Sequence, residues 1–420
     1  MREMKDSGCN YLGMIPSSWS TSRLKGYFKV SRTTGRPDAT VLSLYRDYGI
    51  VPKDSRSDNH NVTSLDTSKY KFVEVGDFVI NKMKGWQGSM ALSAYEGIVS
   101  PAYHVFKFTS PLLLPKYAHY LLRCRSYADE WHKLSTGLRV GQWDLHVEDF
   151  LNTRIPVPSL NEQRRIADCL DEKCVEIDRA VSAAERSIEE YKAYKNSIVN
   201  QAITKGLDSD VPMKDSGVEW LGEVPCEWTI RYPKYLFAAR KERARAADVM
   251  LTASQHHGMI PQKQFMAEEA YMPMPVEKGH AILKHVEPGD FVISMRSFQG
   301  GLEYSALRGK MSSAYLALYP LTDQTETSYY RWLFKSQCYI QGLQTTTNLV
   351  RDGQALRYAN FLKLWLPLPP LCEQRCIAGY LDEKCAQIDA VIAGKQAIIA
   401  DLKAYKQSLV YEAVTGKREV

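Results

Sequence analysis

Apolar and small residues recur at steps of three and four over two long stretches of the chain. In the first they fall at Ile166, Leu170, Cys174, Ile177, Val181, Ala184, Ile188, Tyr191, Ile198 and Ala202, with Lys195 interrupting the series. In the second they fall at Ile377, Leu381, Cys385, Ile388, Ile392, Ile399, Leu402, Leu409 and Ala413. Such spacing predicts a long helix with a heptad seam. Pro156 and Pro158 precede the first stretch, and Pro367 and Pro369 precede the second. Proline is excluded from helix interiors, so these residues mark the helix starts. Ser159 with Glu162 suits a capping box, a detail that Pro370 does not repeat. About 43 residues at ~1.5 Å each make a rod of roughly 65 Å. Its seam needs cover, either from the helix's own domain or from the other helix. A duplicated seam is self-complementary, which favours pairing of the two helices.

The two stretches are copies of one text. Glu162-Gln163-Arg164, Leu170-Asp171-Glu172-Lys173-Cys174 and Lys192-Ala193-Tyr194-Lys195 return as Glu373-Gln374-Arg375, Leu381-Asp382-Glu383-Lys384-Cys385 and Lys403-Ala404-Tyr405-Lys406. All are offset by 211 positions (373 − 162). The segments before the helices repeat more loosely. Met4-Lys5-Asp6-Ser7-Gly8, Pro16 and Trp19 return as Met213-Lys214-Asp215-Ser216-Gly217, Pro225 and Trp228. Gly76-Asp77-Phe78-Val79-Ile80 returns as Gly289-Asp290-Phe291-Val292-Ile293, a turn entering an apolar strand. Residues 89–108 and 311–319 read as short strands, and 117–132 and 328–341 as short amphipathic helices. Lys205 to Val211 reads as a linker. The chain is therefore globule, helix, globule, helix, with a pseudo-two-fold internal repeat. Between the shared anchors the text diverges: residues 53–71 bear no resemblance to 262–284. Two copies of one framework with different loops suit a scaffold that presents two different binding surfaces.

Composition adds bounds. At 420 residues the chain has ample length for two cores. It lacks an apolar run long enough for a bilayer, and Met1-Arg2-Glu3-Met4-Lys5-Asp6 does not read as a signal peptide, so a cytoplasmic location without membrane association is expected. Nine cysteines without a Cys-x-x-Cys pair agree with that compartment. Cys372 and Cys376 stand four apart, but the first copy has Asn161 and Arg165 there, so free buried thiols are favoured over zinc ligands. The net charge of +6 is mild. It is concentrated in the first globule, where residues 1–160 hold 21 Lys/Arg against 15 Asp/Glu.

Two loosely similar globules, each ending in Pro-x-Pro-x-x-x-Glu-Gln-Arg-x-Ile-Ala, resemble the specificity (S) subunit of Type I restriction–modification systems over essentially the whole chain. Pro156, Pro158, Glu162, Gln163, Arg164, Ile166 and Ala167 carry the resemblance in the first half. Pro367, Pro369, Glu373, Gln374, Arg375, Ile377 and Ala378 carry it in the second. It implies an α+β architecture of two mixed α/β target-recognition domains in tandem, residues 1–158 and 208–369. Two long helices, 159–207 and 370–420, would form an antiparallel coiled coil between them. It further implies binding of double-stranded DNA at a bipartite, asymmetric site. Two methyltransferase (M) subunits and restriction (R) subunits would be the partners. No cofactor would belong to this chain, the methyl donor and ATP belonging to those partners.

No catalytic signature stands beside this. Neither an Asn-Pro-Pro-aromatic nor an Asp-Pro-Pro-aromatic tetrapeptide is present, nor a Gly-x-Gly-x-x-Gly or Walker loop. Asp77 with Lys82 faintly suits a nuclease core, but the second copy lacks the lysine, and a strand-entry turn is favoured for the aspartate. His256-His257, as neighbours on a strand, would point to opposite faces and would not share a metal. The candidate DNA readers are loop residues able to address base edges. In the first globule they are Lys82, Lys84, Gln87, Arg139 and Gln142, with Arg46 behind them and Trp86 for packing. In the second they are Arg296, Gln299, Arg351 and Gln354, with Gln255 and His256 behind and Phe298 for packing. Arg240 and Arg243, with Lys241 and Arg245, read as phosphate clamps or as a solvated helix face. Two further readings stay open: a DNA-modification enzyme with an unrecognised fused catalytic centre, and a coiled-coil adaptor without DNA.

Overall fold

The computed structural model describes residues 2–46, 48–56, 63–64, 66–136, 143–269, 282–346 and 358–420. It divides into two compact units. One combines residues 1–185 with 396–420, and the other holds residues 186–395. The fold is mixed α/β with two long helices, Leu160–Lys205 and Leu371–Val414. Each unit contains a globule, the first part of the helix that follows it and the last part of the other long helix.

In the first unit a four-stranded antiparallel sheet runs in the order Phe28–Ser31, Tyr103–Phe108, Phe78–Asn81, Met90–Leu92. The second unit repeats it as Phe237–Ala239, Leu316–Pro320, Phe291–Ile293, Glu303–Tyr304. The strands are short because Gly76 and Gly289 turn the chain just before the apolar run, at φ of 91° and 93°. Aromatic rings fill the core behind each sheet. Phe28, Phe78, Phe106, Phe150 and Trp131 do so in the first unit, and Phe237, Phe291, Phe334 and Phe361 in the second. A separate hairpin stands beside each sheet: Leu42–Tyr45 with Gly49–Pro52, and Leu251–Ser254 with Gly258–Pro261. The segments expected as one helix each are two. Pro115–Arg123 and Arg125–Leu134 are separated by an extended Cys124, and Thr327–Leu333 and Gln337–Thr345 break before an extended Ser336, which caps the next helix at Tyr339 N. The apolar spacing runs across both breaks, so periodicity did not show them.

The long helices meet antiparallel along their seams. In the first unit Asp178 pairs with Lys406 at 2.6 Å and Glu185 with Lys403 at 3.3 Å. In the second, Lys195 pairs with Asp389 at 2.6 Å, which accounts for a lysine on the seam. Toward Lys205 the buried stripe moves to Val199, Ala202 and Ile203, because there the helix packs on Trp228, Val224 and Leu221 of the globule and no longer on a helix alone.

Each helix is fastened at its start by buried polar groups. Trp19 Nε1 donates to Glu162 Oε2 at 2.9 Å, and Trp228 Nε1 to Glu373 Oε2 at 2.8 Å. Half of the expected capping box forms: Glu162 N donates to Ser159 Oγ, but the Glu162 carboxylate turns to Trp19 and Arg2. Gln163, fully buried, accepts from Leu114 N and donates to Leu112 O and Pro158 O. Gln374 does the same with Glu326 N, Gln324 O and Pro369 O. The last turns are held too. Tyr117 donates to Val414 O at 3.1 Å, and Tyr329 to Ile203 O at 2.9 Å. Gly416 and Gly206 then turn the chain at φ of 73° and 77°, where a Cβ would collide with Pro16 and Trp19, or with Glu373.

Gln163→Ala or Gln374→Ala would leave one buried N–H and two carbonyls unpaired. We expect a loss of about 2 kcal/mol of stability and faster hydrogen exchange at Leu114 or Glu326. Unchanged exchange at that amide would show that the glutamine is dispensable.

Candidate nucleic-acid interface

In the first unit the turn after strand Phe78–Asn81 carries four of the candidates. Its backbone is pinned by Lys82 N to Ala102 O at 3.0 Å and by Leu145 N to Lys82 O at 3.2 Å. A short 3-10 turn, Gly85–Gln87, follows, and Gly85 is buried against Ile80 and Leu145. Lys84 and Gln87 are exposed at this turn. Lys82 is half-buried at the edge of a cavity of about 420 Å³ shared with His104, Asp144 and His146. Trp86 is less available than expected. Its indole donates to Met83 O at 2.9 Å, and its ring packs 5.1 Å from those of His132 and Trp143. Arg46 is exposed where the hairpin strand Leu42–Tyr45 ends. Arg139 and Gln142 lie outside the described residues.

The second unit presents the same arrangement with different side chains. Arg296 precedes the single-turn helix Ser297–Gly300, where Gln299 is exposed and Phe298 half-buried against the core. Gln255 and His256 are exposed at the turn of hairpin Leu251–Ser254/Gly258–Pro261. The two adjacent histidines thus occupy a turn and not a strand. Their rings are 6.5 Å apart, and His257 faces Glu268 at 3.6 Å. Arg351 and Gln354 lie outside the described residues.

Arg240 is otherwise engaged. Its guanidinium grips the buried Asp290 with two bonds, Nε to Oδ2 at 2.6 Å and Nη2 to Oδ1 at 2.8 Å, and reaches Glu242 at 3.0 Å. This geometry uses the fork that a phosphate would need. Arg243 is exposed beside it, its backbone bridged to Lys284. Asp290 and its counterpart Asp77 also accept from Glu287 N and Glu74 N, as strand-entry turns do. Cys372 and Cys376 are free thiols, but exposed and not buried, because the helix turns Gln374 and Ile377 inward. Among the described residues no cluster of His, Cys, Asp and Glu suits a metal.

The surroundings favour neutral histidines. Burial, then the charges of Lys71 and Lys82, lowers His104 to about 4. Burial, then Arg123, lowers His119 to about 3. Two cations that the sequence did not single out hold the hairpin turns in place: Arg123 Nη2 donates to Arg46 O, and Lys335 Nζ to Gln255 O at 3.3 Å. A second unforeseen group is His285, fully buried between Asp248 at 2.7 Å and Glu287 at 2.8 Å. Its bonds to His285 and then to Arg308 hold Glu287 down at about 2.

Comparison with known proteins shows what the chain resembles. Residues 16–180 match the family model described as Type I restriction modification DNA specificity domain. Over 97% of this chain and 96% of its own length, a protein assigned as the type I restriction enzyme MjaX specificity subunit of Methanocaldococcus jannaschii is 22% identical. The type I restriction enzyme EcoBI specificity subunit of Escherichia coli is 46% identical over 52 residues, 12% of this chain and 11% of its own. Two solved chains share the fold. One comes from a study of complex assembly and conformational transition of the type I R-M system, with a TM-score of 0.70 and 16% identity over 96% of this chain and 99% of that one. The other is the HsdS subunit of Thermoanaerobacter tengcongensis, with a TM-score of 0.53 and 17% identity over 96% and 98%. Residues 16–180 thus match a Type I restriction modification DNA specificity domain, and the chain as a whole is similar to specificity subunits of Type I restriction–modification systems.

Arg240 and Arg296 differ in what they hold: one pairs with a buried carboxylate and the other stands at an exposed turn. Arg240→Ala would leave Asp290 buried without its partner and cost about 3 kcal/mol in urea unfolding. Arg296→Ala, at an exposed turn, should change stability by less than about 0.5 kcal/mol. Equal effects of the two substitutions would contradict this division.

Proposed function

We propose that this chain is the non-catalytic, sequence-reading subunit of a cytoplasmic Type I restriction–modification complex. Each unit reads one half of a bipartite DNA site, and the chain scaffolds two methyltransferase subunits and the restriction subunits. One observation carries this reading. A shared frame presents different side chains at equivalent exposed positions: Arg46 at one hairpin turn and Gln255 at the other, Lys84 at one sheet turn and Arg296 at the other. Arginine suits guanine O6/N7 and glutamine suits adenine N6/N7, so the halves of the site should differ and the whole should not be palindromic. Gln87 and Gln299 keep one element in common. The phosphate backbone supplies the remaining attraction, for which the basic first globule is suited. Arg240 is left out of this surface because Asp290 occupies it.

The test is the methylome of cells carrying the complete system. Arg46→Gln should change the motif in one half-site and Gln255→Arg in the other. If either substitution altered both halves together, the modular reading would fail. The purified chain alone should transfer no methyl group to DNA and should do so once methyltransferase subunits are added. Methylation by the chain alone would favour a fused catalytic centre instead.

A further inference from the structure

The hairpin turn and the sheet turn come from distant parts of the chain, so something must fix one against the other. In the second unit one such link is an ammonium group. Lys335 lies between the helices Thr327–Leu333 and Gln337–Thr345. Its Nζ donates to Gly300 O at 2.9 Å and to Gln255 O at 3.3 Å, and stands 2.6 Å from Glu303 Oε2. The ammonium thus donates to two carbonyls and pairs by charge with a carboxylate oxygen that has no hydrogen-bond partner among the described residues. One carbonyl ends the turn that carries Gln299, the other belongs to the hairpin turn, and the carboxylate is only 2% exposed. Burial raises the Glu303 carboxyl, and Lys335 opposes that rise. The junction is also packed closely. A Cβ on Gly300 would meet Gln255 Nε2 at 2.8 Å, and the backbone of Gly301, at φ 74°, lies against Phe334 O.

The first unit solves the same problem with different chemistry. Arg123, equivalent to Lys335 by the offset of 212 (335 − 123) that also relates Gln87 to Gln299, donates from Nη2 to Arg46 O. Arg46 is in turn the counterpart of Gln255. The cation differs and the buried carboxylate is replaced, Ala91 standing where the second unit has Glu303. What persists is a cation on the carbonyl of the hairpin residue.

We infer that Arg123 and Lys335 are positioning residues for DNA recognition: each holds the hairpin-turn residue, Arg46 or Gln255, at a fixed place beside the sheet turn, and so sets the sequence discrimination of its own half-site. The inference rests on the proposed DNA-reading role. Neither cation needs to touch DNA. A carbonyl held in advance spares the ordering cost at binding. Base readout also tolerates little play, since a side chain displaced by about 1 Å loses its paired hydrogen bonds.

The experiment uses the full chain assembled with its methyltransferase partners, genomic DNA as substrate, and methylation read by sequencing. The variant Lys335→Met/Glu303→Gln removes the charge pair without leaving a buried carboxylate unpaired. We expect it to raise methylation at sites with one wrong base pair in the second unit's half-site roughly tenfold, with the other half-site unchanged. Lys335→Arg should stay within about twofold of the parent, since an arginine serves in the first unit. Arg123→Met should mirror the effect in the first unit's half-site, and it carries the test if the double variant does not accumulate. Unchanged discrimination in the variants, or an equal loss in both halves, would overturn the positioning role. Gln255→Ala, Arg296→Ala and Gln299→Ala form the control arm. If these leave the motif intact, the DNA-reading surface itself is wrong. If they change it while the cation variants do not, only the positioning role falls.

Discussion

Each unit depends on the polar lock at the start of its long helix. An indole N–H meets a glutamate, and the next residue, a glutamine, satisfies one N–H and two carbonyls of the globule. The glutamine itself is fully buried, and an unpaired group there would cost about 1–3 kcal/mol. The lock therefore tolerates one helix placement and penalises others. Apolar seams alone would not do this, because a heptad stripe can slide by a turn and still bury its residues. The same lock recurs around Trp228, Glu373 and Gln374, so both globules are set on their helices in the same way.

The residues of the lock were legible in the sequence as repeated anchors, but their bonds were not, since the spacing of Ser159 and Glu162 pointed to a capping box. The lock residues have no substitutes: indole, carboxylate and amide each fill a particular bond, so Trp19, Glu162 and Gln163 return unchanged at their repeat positions. The seams were legible because burial repeats with the helical period. The helix breaks at Cys124 and Ser336 were not, because a two-helix corner that buries both arms keeps the same apolar spacing. The Arg240–Asp290 pair was hidden for another reason. Its partners lie 50 residues apart, and the first copy has Ser31 in place of the arginine, so the repeat gave no sign of it.

Of the candidate interface, exposed turn residues such as Lys84, Gln87, Arg296 and Gln299 were legible as polar positions flanking a repeated strand. The links between turns were not. Arg123 and Lys335 act on backbone carbonyls, which every residue possesses, so their partners carry no side-chain signature. The ring partners of Trp86 were hidden because His132 and Trp143 come from segments that the sequence does not join to it.

Divergence between the copies extends below the surface. Where the first unit has Phe72 in an apolar cluster with Tyr70 and Ile98, the second has His285 between two carboxylates. The aromatic ring of Phe72 carries Arg36 on its face at 4.0 Å, while the carboxylates around His285 engage Arg308 and Arg245. Both solutions fasten a basic segment to the same strand, one by a cation–π contact and the other by ion pairs. The first copy holds its arginine without a buried charge, and the second needs every member of its network present at once. A frame that keeps its strand pairings under either solution leaves the loops above it free to differ between the two copies.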